Sequence, residues 1–125
     1  MKIIMRALVG ILGIAALAIA IRFWIAPAAM AAQLGFAIQR GLGIATMRAD
    51  LAGFFGGTGA IALAAAVLDR ARLLTAPLVL VAVALAGRLV TAFSLGLSPE
   101  FIAPMVAEAL LIAIFALGRR TLGSE

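Results

Sequence analysis

Four apolar stretches dominate the chain, running from Ile3 to Ile25, Thr46 to Leu68, Leu73 to Leu97 and Phe101 to Leu117. A helix rising about 1.5 Å per residue needs about 20 residues, within a range of roughly 17 to 25, to cross a hydrocarbon core. Each stretch meets that requirement once the interfacial residues at its ends are included. Ala and Leu predominate, apolar–polar alternation is absent, and the stretches are longer than strands, so helices are expected rather than a barrel.

The remaining composition agrees. Hydrophobic residues make up 66% of the 125 residues and charged residues 12%, against roughly half and about a quarter in soluble domains. Too little polar surface is left to coat a soluble core. The expected fold class is therefore all-α: a polytopic membrane protein forming one four-transmembrane-helix bundle over residues 1–125. The chain has no cysteine and no histidine, which removes disulfides, thiol nucleophiles, thiolate or imidazole metal ligands and the usual near-neutral proton carrier. No metal site and no cofactor is expected. The net charge of +5 does not imply a nucleic-acid partner, because the Lys and Arg residues punctuate apolar segments instead of clustering on one face.

The connections are unequal. "DRAR" at 69–72 reads as a short polar hairpin. "SPE" at 98–100 reads as a helix start, with Ser98 as cap, Pro99 at the first helical position and Glu100 near the positive helix end. Between the first two spans, Met30, Leu34 and Ile38 recur every four residues while Gln33 and Arg40 fall elsewhere, which predicts an interfacial helix over about 28–40, broken by Gly41 and Gly43. Lys2 and Arg6 ahead of an apolar stretch, with "AMA" at 29–31, outline a cleavable secretory signal. The length of the stretch and the intervening Arg22, Phe23 and Trp24 favour an uncleaved span anchored at the interface by Trp24. Lys2, Arg6, Arg70, Arg72, Arg119 and Arg120 then fall on one side, against Arg22, Arg40 and Arg48 on or near the other. That bias predicts cytoplasmic termini and a cytoplasmic 69–72 hairpin in a bacterial inner membrane.

Three charges fall further inside the spans than Arg6, Arg22 and Arg48, which lie within three residues of a span end. Arg88 lies fifteen residues beyond Leu73, about 22 Å into the core, and Glu108 seven residues beyond Phe101, about 10 Å from the opposite surface. The two are at one level, on helices that a tight turn makes antiparallel neighbours. Asp50, about 6 Å below the start of the second span, is near the same level and is a second partner for Arg88. Charges here are costly when unpaired and rarely face lipid. They are expected to form an internal polar cluster, either one that only fixes helix pairing or one that lines an outward-facing pocket for a ligand headgroup, ion or proton.

"RADLAGFFGGTGA" at 48–60 places Asp50, Gly53, Phe54 and Gly57 on one helical face. Gly53 and Gly57 form a small-xxx-small pair, and Gly56 and Gly59 widen the notch. Thr58, Thr75, Thr91 and Ser94 are expected to bond back to their own helices, with Thr91 one turn from Arg88 and within reach of its cluster. Pro77 and Pro104 are candidate kinks, and Met30, Met47 and Met105 are packing residues. No Gly-Lys-Ser/Thr phosphate loop is present.

The order of "RADLAGFFGGTGA", a basic hairpin, "AGRLVTAFSLG", a proline-containing turn and a fourth helix with Glu108 resembles the bacterial four-helix membrane family catalogued as domain of unknown function 4345, over nearly the whole chain. The resemblance implies shared architecture and a polar site on Arg48, Asp50, Gly56, Gly57, Gly87, Arg88 and Glu108. It implies no reaction. The chain departs from the family where Phe55 replaces a frequent tyrosine before the paired glycines, and where "SLGLSPE" replaces a frequent Asp-Gly.

The function expected is that of a non-enzymatic accessory or binding subunit. Its partners would be membrane lipid, another membrane protein or a second copy of itself. The alternative is a small proton-linked transporter or carrier titrating at Glu108, although no convincing inverted repeat is seen. Acid–base catalysis by Asp50 and Glu108 alone is the third reading.

Overall fold

The computed structural model of the chain describes residues 1–124. It is all helical: α1 (Lys2–Ile25), α2 (Pro27–Gln33), α3 (Leu42–Leu68), α4 (Ala71–Leu95) and α5 (Pro99–Thr121). All but the short α2 are long and apolar enough to cross a membrane. The helices outrun the apolar stretches at several ends because a helix continues past an apolar run wherever its backbone groups are satisfied. Thus α5 extends through Arg119 and Arg120 to Thr121, two cations in a last turn whose partial charge is negative. By contrast α4 stops at Leu95, two residues short of the expected Leu97, because Gly96 turns the chain at φ 85°. Ser98 occupies the N-cap position of α5 but its side chain makes no capping hydrogen bond; Pro99 and Glu100 fill the first turn as expected.

The expected interfacial helix over 28–40 is only partly formed. α2 ends at Gln33 because Gly35, at φ 77°, closes a Schellman turn: Phe36 N–H donates to the Ala31 carbonyl at 2.8 Å and Gly35 N–H to the Ala32 carbonyl at 3.2 Å. The break therefore comes at Gly35, ahead of Gly41 and Gly43. α2 also turns Met30 and Ala31 into the bundle, packed with Phe23 and Met47.

α1 and α3 make the most extensive helix pair, and α4 with α5 the next. Gly13 and Gly59 hold the first pair together. A Cβ on Gly13 would lie 2.8 Å from Leu63 N and 2.9 Å from the Gly59 carbonyl oxygen, and one on Gly59 would lie 2.6 Å from the Gly13 carbonyl oxygen. A Cβ on Gly56 would lie 3.3 Å from Ala20 Cβ on the same seam. Gly53, Gly57 and Gly87 contribute nothing comparable: a Cβ at any of them meets no atom within 4 Å. The expected Gly53/Gly57 packing pair is thus replaced by Gly56 and Gly59, one face further round the helix.

The end bearing the chain termini is tied by polar bonds. Asp69, in a left-handed conformation at φ 54°, ends α3. Its carboxylate pairs with Lys2 Nζ at 2.6 Å and accepts from Gly123 N–H at 3.0 Å, while Ala71 N–H donates to the Gly123 carbonyl at 2.8 Å. Arg6 reaches across from α1 to the last carbonyls of α3, Nε to Ala66 at 2.8 Å and Nη2 to Val67 at 3.1 Å. This cation satisfies acceptors that a helix end leaves without partners. Met5, Val9, Ala65, Leu74, Val81 and Phe115 form the buried core nearby. A second core, centred on Phe23, Met30, Met47 and Ala52, lies toward the other end.

Candidate functional site

Beside the second core, α3, α4 and α5 carry Asp50, Arg88 and Glu108. Arg88 sits seven residues before the end of α4 at Leu95 and Glu108 nine residues after the start of α5 at Pro99, about 10 and 13 Å along the two axes. Arg88 Nε donates to Glu108 Oε1 at 2.8 Å. The bond is charge-assisted and secured from both helices. The side chains are 38% and 13% exposed, and Glu108 Oε2 is buried with no hydrogen-bond partner among the described residues. Both residues line a cavity of about 510 Å³, within the range of about 300–1,000 Å³ typical of small-molecule sites.

Asp50 lines the same cavity but forms no ion pair among the described residues. The second partnership expected for Arg88 is not made. Asp50 instead lies in a π-helical turn, Met47–Leu51, within α3. Such turns insert one residue into a helix, rotating the preceding face by about 100°, and recur at functional sites. Here Ala52 N–H reaches back to the Met47 carbonyl, bypassing that of Arg48. The Arg48 carbonyl accepts from Trp24 Nε1 at 3.0 Å, and Arg48 Nε donates to the Trp24 carbonyl at 3.0 Å. Arg48 is therefore half of a clamp between α1 and α3, apart from the Arg88 cluster. Thr91 is also apart from it, its hydroxyl bonding back to the Gly87 carbonyl at 3.0 Å.

Phe54 and Phe55 separate this cavity from a second one, about 340 Å³, enclosed by α1, α3, α4 and α5. Their rings meet edge to face at 5.2 Å, and Phe55 stacks on Phe23 at 5.6 Å. Thr58 is the polar side chain on the wall of the second cavity. It is 5% exposed, and its hydroxyl has no partner among the described residues. The expected bond back to its own helix is not made, nor is that of Thr75 among the described residues, whereas Thr91 and Ser94 make theirs. Asp50 and Leu51 also border a third cavity of about 500 Å³ beneath the segment 36–43. The π-helical turn and the free Thr58 hydroxyl have no signal in the sequence; both depend on how α3 is rotated against its neighbours.

Among the described residues no three His, Cys, Asp or Glu side chains gather where they could hold a metal ion. No family model matches the chain, and comparison with curated proteins and with solved structures gives no match either.

Proposed function

We propose that this chain is a small integral membrane protein that binds a ligand through the Arg88, Glu108 and Asp50 cavity and serves as an accessory or binding subunit. The observation that carries the reading is Glu108, a residue of the cavity wall whose buried Oε2 has no donor among the described residues. Buried polar atoms are nearly always bonded, so an exception on a residue that lines a cavity of ligand size marks a place for one. We further propose placement in a bacterial inner membrane with both termini cytoplasmic, from the positive bias of Lys2, Arg6, Arg70, Arg72, Arg119 and Arg120, and membership of the four-helix family that its motifs resemble.

The test is native mass spectrometry of protein extracted from its own membranes in mild detergent. The wild type is expected to retain a small molecule or lipid that Arg88→Met and Glu108→Gln lose. An identical set of bound species in all three makes the pair purely structural. Co-purification of a larger protein at constant stoichiometry supports the subunit role. The same orphan oxygen favours a second reading, in which Glu108 carries a proton for a small carrier assembled from several copies. Proteoliposome flux that is unchanged by Glu108→Gln rules that reading out.

A further inference from the structure

The charges around the cavity do not balance. Arg88 is bonded to Glu108 through Oε1, while Asp50 has no cationic partner among the described residues and Glu108 Oε2 has no donor. The charged residues on the wall are one cation and two carboxylates, which leaves one negative charge in excess. An anion placed there would meet two like charges.

The rest of the wall is aromatic and aliphatic. Phe36, Phe54 and Phe55 line it, and ring faces attract cations within about 6 Å. The π-helical turn holds Asp50 on this wall, and Phe54 and Phe55 lead on to the apolar cavity that contains Thr58. Building on the ligand-binding reading above, we infer that the cavity takes a protonated amine carried on an apolar body. The ammonium lies beside the carboxylates of Asp50 and Glu108, and the apolar body packs on Phe54 and Phe55. Two sources share that chemistry: the aminoethyl headgroup of a bilayer phospholipid, and a free lipophilic amine.

The experiment titrates wild-type, Asp50→Asn and Arg88→Met protein in a maltoside detergent with octylammonium, using octanol and octanoate as neutral and anionic counterparts, and follows the thermal midpoint. Native mass spectrometry in parallel compares retained phosphatidylethanolamine with phosphatidylglycerol. Octylammonium is expected to raise the wild-type midpoint saturably where octanol and octanoate do not. Its apparent affinity should fall about fivefold in Asp50→Asn, the loss of one partly exposed ion pair. Asp50 is exposed, so this variant keeps the fold even where changes at the Arg88–Glu108 pair do not. Retention of phosphatidylethanolamine that Asp50→Asn abolishes identifies the bilayer headgroup. An octylammonium response without lipid preference identifies the free amine.

Equal responses to octylammonium in the wild type and Asp50→Asn, or to octylammonium and octanol, overturn the inference. Preference for octanoate or phosphatidylglycerol that Arg88→Met removes overturns it while leaving the ligand-binding reading intact. No response to any of these probes, together with no bound species that Arg88→Met alters, overturns both.

Discussion

Gly13 of α1 and Gly59 of α3 meet backbone to backbone: a Cβ on either would come within 3 Å of main-chain atoms of the other helix. Main chain cannot swing aside as a flexible side-chain tip can. Gly13→Ala and Gly59→Ala are each expected to lower stability by about 1–3 kcal/mol, the range for overpacking a close contact. Gly53→Ala and Gly57→Ala place their methyls in open space and should be neutral, or stabilising by up to about 1 kcal/mol through helix propensity. Thermal unfolding of the four variants in one detergent separates the true seam from the apparent one.

Arg88 and Glu108 form a pair within the bundle, so removing one partner strands the other. Arg88→Met and Glu108→Leu should each cost about 2–3 kcal/mol, less than a fully buried pair because Arg88 is partly exposed. The double variant should cost less than the sum of the two. Strict additivity in the thermal midpoints of this cycle would mean that the pair is energetically uncoupled.

The Trp24–Arg48 clamp relies on two reciprocal hydrogen bonds. Trp24→Phe keeps an aromatic side chain, though a smaller one, but removes the indole donor, and is expected to cost about 1 kcal/mol. The change should appear locally, as faster amide hydrogen exchange over 42–51 with little effect on α5. Uniform acceleration along the chain would place the clamp within the global unfolding unit.

Asp69 lies outside the spans, and its carboxyl is held below the ordinary value, first by the Lys2 ammonium bonded to it, then by the Gly123 N–H, with the charges of Lys2 and Arg6 adding to both. A lowered folded-state pKa stabilises the fold while the unfolded group is also ionised, and that contribution fades as the pH falls through the folded value. The stability gap between wild type and Asp69→Asn should therefore be full above about pH 5 and shrink below about pH 4, where an unfolded aspartate of pKa about 3.9 protonates. A gap independent of pH between 7 and 3 would show that the carboxylate charge contributes nothing.

Much of the architecture is one-dimensional and so legible in the residues alone. Apolar length sets the number of spans, and rise per residue together with the tight turn at 96–98 sets Arg88 and Glu108 at one level. Rotation is different. Which glycines face a neighbour depends on how α1 and α3 turn about their axes, and the sequence offers Gly53/Gly57 as readily as Gly56/Gly59; backbone contact with Gly13 decides in favour of Gly59. Likewise Asp50, Arg48 and Thr91 are close to Arg88 in sequence pattern or depth. The π-helical turn sends Arg48 to Trp24 and Asp50 to the cavity wall, and Thr91 bonds back to its own helix. By itself the sequence determined the all-helical fold, the number of long apolar helices and the level at which Arg88 and Glu108 lie along theirs, because these follow from length and apolarity. Only the tertiary structure decided which groups touch, which remain without a partner, and where a cavity opens between them, because those depend on the rotation and close approach of whole helices.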